Sequence, residues 1–269
     1  MAETKMNVQL IAHTQLSEPF DFSEASHGLT DYHGLVDEFG CTDGQAVALS
    51  AIRTCYSANK PSEIVAKEGA KYFGSKASDG GEGTDADRLF RQIVASKHTS
   101  TLEHLTFTFA IEGVSRALLA QLTRHRAGFS FSVQSQRYVR MGSGDRSSGF
   151  DYVVPEKVMG DKTAVECADY DLTAEDVFDD AMKYAQESYD LLRKAGVPAE
   201  DARAILPQAA ATNLVMTVNL RALLDFYAKR RKGNGAQAEI ADLSEVLRRE
   251  VVEVEPWTAQ FFEGVSASV

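Results

Sequence analysis

The sequence predicts an α+β protein. Three observations carry that expectation: period-two apolar runs, several capped helical stretches, and no regular β-α-β alternation between them. The chain has 269 residues, 25% charged and 44% hydrophobic. That size and composition suit one large domain or two small ones, with a core that needs no staples.

Taken in order, the N-terminal "MAETKMNVQLIAHTQ" has no apolar segment of the secretory kind. Residues 75–88, "SKASDGGEGTDADR", read as a loop, with Thr84 capping a helix that starts on acids. Its glycines do not suggest a phosphate cradle, because Asp79, Glu82, Asp85 and Asp87 repel phosphate. Leu105, Phe107, Phe109 and Ile111 alternate, which predicts a half-buried strand. A helix follows, capped by Ser115, with Leu118, Leu119 and Leu122 on one side and Gly128 at its end. "FSVQSQRYV" and "DYVVP" read as β-rich. A long helix is expected from Leu172 to Ala195, capped by Thr173, with Val177, Ala181, Tyr184, Ser188 and Leu192 along one face. Gly196 and Pro198 stop it. A short helix between Pro198 and Pro207 and two longer ones, over 212–231 and 236–254, complete the pattern.

Composition also excludes partners. No run of about 18 apolar residues is present, so no membrane span is expected. A net charge of -11 opposes binding to nucleic acid. Cys41, Cys55 and Cys167 show no metal or disulfide spacing, which points to a reducing, cytoplasmic compartment. Neither usual glycine-rich nucleotide fingerprint occurs.

One window runs against the acidic balance. From Gly113 to Gly144 there is no Asp, Glu or Lys, yet Arg116, Arg124, Arg126, Arg137 and Arg140 all fall there. Arginine is preferred where a planar fork must hold phosphate or carboxylate. Ser130, Ser132, Gln134, Ser135 and Gln136 add hydrogen-bonding groups. Arg124 and Arg126 are expected at a helix end and Arg137 in a strand, converging on an anion site. The competing reading pairs these arginines with distant carboxylates.

These residues resemble the flavin-dependent thymidylate synthases. The family's Arg-His-Arg, seven residues, Ser stands here as Arg124-His125-Arg126, eight residues, Ser135, continuing as Gln136-Arg137-Tyr138. We place the extra residue between Arg126 and Ser130. "HTSTLEH", "AIRTCYS", "GVPAEDARAILP" and "NLRALLDFYAKR" match further family segments in order, over about 45–262. Asp225 stands where Asn or His is more usual, and residues 1–45 form a weakly covered extension.

The resemblance implies conversion of dUMP to dTMP, with methylenetetrahydrofolate as carbon donor and FADH2 as hydride donor, regenerated by NADPH. It places dUMP against Gln121, Arg124, Ser135, Gln136, Arg137, Arg203 and Arg230. It places FAD against Cys55, Ser100, Glu103, Arg124, His125, Arg126, Asn219, Arg221 and Asp225. Arg230 would activate the uracil, and His98 would lie near the flavin and folate rings. It also implies one α+β domain over 1–269 with a central antiparallel sheet flanked by long helices, a homotetramer with shared active sites, and no catalytic cysteine. Two other classes compete: a nucleotide- or RNA-binding module, opposed by the net charge, and a metal-dependent hydrolase. A zinc set of His98, His125 and Glu103 is disfavoured by the adjacent Arg124 and Arg126, so no metal is expected.

Overall fold

The computed structural model describes residues 1–17, 36–160, 162–166 and 171–263. Its centre is a four-stranded sheet. Strand β1 spans Asn7–His13, β2 Thr106–Ser115, β3 Phe129–Val133 and β6 Ala211–Asn219, in the order β1-β2-β6-β3. Each neighbouring pair is antiparallel. In β2 the alternation works as expected: Phe107, Phe109 and Ile111 are all buried, as is Leu105 just before.

β6 corrects the sequence reading. Residues 212–231 were expected as one helix, yet Ala211–Asn219 is a strand and only Leu220–Arg230 is helical. Thr212, Leu214, Met216 and Val218 are buried in alternation, and the segment is rich in β-branched residues. Asn219 makes the junction: its side chain accepts from the Ala222 N–H at 2.9 Å and caps the helix.

Helices α1 (Asp43–Thr54), α2 (Pro61–Phe73) and α3 (Asp85–Ala95) precede β2, with a 3-10 turn at Thr99–His104. Helix α4 (Arg116–Leu122) leaves β2 directly, capped by Ser115 as expected. The remaining described elements are a small hairpin of β4 (Thr163–Glu166) and β5 (Asp171–Thr173), then α5 (Ala174–Lys194) and α6 (Ala199–Ala202). α7 is Leu220–Arg230, α8 Ala238–Val254 and α9 Ala259–Glu263. α1–α3, α4 and α7–α9 contribute to the main hydrophobic cluster on one face of the sheet. A buried carboxylate ties its two ends together. Glu255, 2% exposed, accepts from Thr42 Oγ1 and from Trp257 Nε1 at 2.6 Å. It lies so close to Gly44 that a Cβ there would meet its Oε1 at 2.2 Å.

A smaller cluster of Met141, Phe150, Met182, Tyr189, Ala202 and Ala210 lies beneath α5. Thr173 caps α5 as expected, but the buried face is Met182, Gln186 and Tyr189. Val177, Ala181 and Tyr184 face outward, and Leu192 belongs to the inner side. "FSVQSQRYV" is a strand only to Val133, and "DYVVP" contributes isolated bridges at Tyr152. Leu172 belongs to β5, before the helix. Cys167 lies outside the described residues.

Candidate functional site

The acid-free window spreads over three consecutive elements. Ser115 ends β2, and Glu239 of α8 accepts from both its N–H (2.7 Å) and its hydroxyl (2.5 Å). This fixes the first turn of α4 and sets Arg116 at its start. After β3 the chain turns through Ser135–Tyr138, so Arg137 sits in a turn and not in a strand. Arg203 opens a 3-10 turn after α6.

Arg116, Gln136 and Arg203 meet at one cleft of about 330 Å³, closed by Leu206, Pro207 and Gln208. Arg116 donates through Nη1 to Thr212 Oγ1 at 3.4 Å. Burial, and then the charge of Arg203, push its guanidinium below its usual pKa. Arg203 donates through Nε to the Glu200 carbonyl at 3.0 Å. Gln136 is 7% exposed, and its Nε2 is buried without an acceptor among the described residues. Two cations and an orphaned donor lining one cleft make a place for an anion, since a buried donor without a partner is costly.

The sequence comparison had not placed Arg116 among the substrate residues. Its membership of the acid-free window was the available signal. Gln121 is engaged elsewhere, donating to Gln237 at 3.1 Å and to the Ala117 carbonyl at 3.3 Å. Ser135 accepts from the Arg137 N–H at 3.3 Å. Arg137 pairs with Glu200 at 3.0 Å, so for this one arginine the distant-carboxylate reading holds.

The Arg-His-Arg segment forms a second group. It lies beyond the end of α4, which stops at Leu122 with Thr123 as its cap. Gly128 follows at φ +75°, where a Cβ would meet Ala222 Cβ at 2.6 Å. A glycine there lets the turn lie directly on α7. His125 packs edge-on against Phe226 with ring centroids 4.9 Å apart, and its Nε2 accepts from Arg230 Nε at 3.2 Å. Burial first, then Arg230, Lys229 and Arg124, push the His125 pKa down to about 4. The ring is therefore neutral at pH 7 and holds Arg230 in place as an acceptor. Arg124 and Arg126 are exposed and make no side-chain hydrogen bond or ion pair among the described residues.

A third group lies around the turn at Thr99–His104. A cleft of about 520 Å³, more apolar than the first, is bordered by Val47, Ala51, Cys55, Ser100 and His104. His104 is exposed and borders this cleft. At its neighbour His98, Nδ1 lies 2.7 Å from the Tyr56 hydroxyl. Glu103 forms an ion pair with Arg221 at 2.5 Å. Asn219 is spent on capping α7, and Asp225 is exposed on that helix. Burial pushes the Cys41 thiol up to about 11, which disfavours it as a nucleophile.

The two clefts share no residue, and Arg124, Arg126 and Arg230 line neither. The donor set fits a flavin dinucleotide in kind. Arg124 and Arg126 are cations without carboxylate partners among the described residues, and the larger cleft offers apolar walls with hydroxyls.

Comparison with known proteins agrees with these features. The family described as Thymidylate synthase complementing protein matches residues 35–257. The flavin-dependent thymidylate synthase of Geobacter sulfurreducens is 38% identical over 214 residues, 80% of each chain. That of Clostridium tetani is 31% identical over 228 residues, 79% of each chain. Among solved structures, the UMP/dUMP methylase PolB of Streptomyces cacaoi, with bound 5-Br dUMP, has a TM-score of 0.63 at 21% identity. The match covers 97% of this chain and 96% of that one and shows a shared fold. With the family match spanning most of its length, the chain belongs to the Thymidylate synthase complementing protein family, that of the flavin-dependent thymidylate synthases.

Proposed function

We propose that this protein is a flavin-dependent thymidylate synthase. It converts dUMP to dTMP, with methylenetetrahydrofolate as carbon donor, FAD as cofactor and NADPH as reductant. The observation that carries the reading is the cleft of Arg116, Gln136 and Arg203, whose orphaned donor and paired cations suit a phosphate monoester. Arg137 joins them once it releases Glu200, and Ser135 lies beside it.

Arg230 is the group that acts on the pyrimidine. A guanidinium against the uracil carbonyl stabilises the negative charge that develops as C5 becomes nucleophilic. His125 positions it, because a neutral ring accepts from Nε and leaves the terminal nitrogens to donate. Arg124 and Arg126 hold the pyrophosphate of FAD, with Ser100, Cys55, Asn219 and the Glu103–Arg221 pair around the rest of the cofactor. Bound and reduced, the flavin supplies the hydride; the chain supplies binding and orientation. His98, tied to Tyr56, borders the rings. The protein works as one domain in a cytoplasmic homotetramer, in which several chains complete each site.

The direct test is dTMP formation from dUMP, methylenetetrahydrofolate, NADPH and FAD, together with dUMP titration of the flavin-loaded protein. Arg116→Ala and Arg203→Ala should each weaken dUMP binding while flavin stays bound. Unchanged dUMP affinity in both would remove the cleft from the mechanism.

A further inference from the structure

Tyr56 and His98 belong to different elements yet meet at 2.7 Å, hydroxyl to Nδ1, with their rings edge-on at 5.8 Å. Each is held by its own backbone. His98 follows the end of α3 in a closed turn. The Lys97 N–H donates to the Val94 carbonyl and the His98 N–H to the Ile93 carbonyl, both at 3.1 Å. A helix end with this pair of bonds normally has glycine at its left-handed position. Here the residue is Lys97, at φ +60°, a conformation that other residues keep only where their surroundings demand it. The His98 carbonyl then accepts from the Thr101 hydroxyl at 3.2 Å, so the backbone is fixed on both sides of the ring.

Tyr56 is bracketed by one carboxylate. Glu68 accepts from Arg53 Nε at 2.5 Å and from Asn59 Nδ2 at 2.9 Å, together with the Ser57 hydroxyl. Tyr56 lies between these anchors, and its own N–H donates to the Arg53 carbonyl at 2.9 Å. An exposed hydrogen bond competes with water, so it persists only where both partners are already in place. Tyr56 is 58% exposed, and the anchors supply that placement. The pair also ties the two walls of the larger cleft. Cys55 precedes Tyr56 on one wall, and Ser100 and Thr101 follow His98 on the other.

We propose that Tyr56 is a positioning residue that acts through His98, fixing the ring as the tautomer with its proton on Nε2. A phenol is the more acidic partner and an imidazole nitrogen the more basic, so the hydroxyl donates and Nδ1 accepts. The bond made at one ring nitrogen decides the proton on the other. Nε2 makes no hydrogen bond among the described residues. A neutral His98 therefore offers a ligand a donor and not a base. Its complement is a carbonyl or an unprotonated ring nitrogen at the edge of a planar heterocycle. The role rests on the proposed placement of His98 beside the flavin and folate rings; the tautomer does not.

The tautomer is read by magic-angle-spinning nitrogen NMR of the full-length protein, isotope-labelled only in its six histidines. The His98 signals are identified by their loss in His98→Gln. At about pH 8.5, above the ordinary histidine range, Nδ1 of the wild type should resonate as a hydrogen-bonded acceptor and Nε2 as a protonated nitrogen. In Tyr56→Phe, which keeps the ring contact, the Nδ1 signal should move to that of an imidazole in water. A wild type protonated at Nδ1, or signals indifferent to Tyr56→Phe, overturn the tautomer and with it the role. The role is read by turnover of dUMP with methylenetetrahydrofolate, NADPH and FAD. Tyr56→Phe should lower kcat roughly three- to tenfold, the worth of one hydrogen bond, with dUMP and flavin affinities and melting temperature unchanged. His98→Gln keeps an N–H donor on a side chain of similar reach. In that background Tyr56→Phe should cost nothing more, because the partner through which it acts is gone. An equal loss in both backgrounds, or no loss from Tyr56→Phe alone, overturns the proposal. If His98→Gln has no measurable turnover, the single variant and the NMR signals decide. A wild type that forms no dTMP overturns the role together with the proposed function, while the NMR signals still decide the tautomer.

Discussion

Two charged regions of this molecule contrast sharply. In the loop from Ser75 and the start of α3, charges meet charges. Asp85 takes both Arg88 Nε (2.6 Å) and Nη2 (3.0 Å), and also the Ser78 hydroxyl at 2.7 Å. Asp79 pairs with Arg91 at 2.9 Å. The Arg88 guanidinium, first among these, holds the Asp85 carboxyl well below the usual range. In the cleft of Arg116, Gln136 and Arg203 the opposite holds: two cations face each other and a buried amide has no acceptor. The first region spends its charges on its own fold. The second leaves its hydrogen-bonding capacity for something else, and that difference marks the site better than charge density does.

The largest expected effect comes from Arg230, the group proposed to act on the pyrimidine. Arg230→Ala should lower dTMP turnover at least about a hundredfold, since one preorganised donor is worth roughly 3 kcal/mol. Flavin absorbance and folded content should stay near wild type. A variant that turns over normally removes Arg230 from the reaction.

Next come paired substitutions that set the two regions against each other. Arg116→Ala or Arg203→Ala should weaken dUMP binding about ten- to a hundredfold, the equivalent of a lost charge-assisted bond. Asp85→Ala should instead lower stability by about 1–3 kcal/mol, because the buried Asp85 carboxylate is the acceptor for Arg88 and Ser78, with dUMP affinity unchanged. Denaturant melts and dUMP titrations on all three variants separate these outcomes. If Asp85→Ala weakens dUMP as much as Arg203→Ala does, the contrast collapses.

Gln136 sharpens it further. Its orphaned Nε2 costs the ligand-free fold about 1–3 kcal/mol. Gln136→Leu removes that donor at similar volume, so the ligand-free protein should melt higher while dUMP binds several-fold more weakly. The pairing of gain and loss is diagnostic of a group held ready for a ligand. A variant both less stable and unaffected in dUMP binding would make Gln136 a packing residue.

Much of this was legible in the sequence. Caps at Thr84, Ser115 and Thr173 were readable because a hydroxyl before an acidic or apolar turn has a local cause. The β2 alternation was readable for the same reason. β6 was not, because Leu214, Val215 and Met216 run together and suit either period; only pairing with β2 and β3 settles it. The inner face of α5 was misread since the helix has two apolar stripes, and sequence alone does not say which meets the core. Within the site, the motif residues Gln136 and Arg203 line one cleft. Arg116 escaped because its meeting with Arg203 depends on a contact between residues 87 positions apart.

The smallest effect concerns Arg137, which is caught in a pair. Arg137 is held by Glu200 at 3.0 Å, with both side chains about half exposed. If Arg137 serves the phosphate of dUMP, the Glu200 carboxylate competes with the ligand for the same guanidinium. Exposed pairs of this kind are worth roughly 0.2–1 kcal/mol. Glu200→Gln removes the competing charge and keeps the side chain's size, so dUMP should bind tighter, by less than about fivefold. Raising salt should shrink the gap between wild type and variant, because screening already weakens the competing pair. Arg137→Ala should erase the gain when combined with Glu200→Gln, since no guanidinium then remains to be released. Weaker dUMP binding in Glu200→Gln would mean that the carboxylate orients Arg137 for the ligand, and the two regions would be less distinct than drawn.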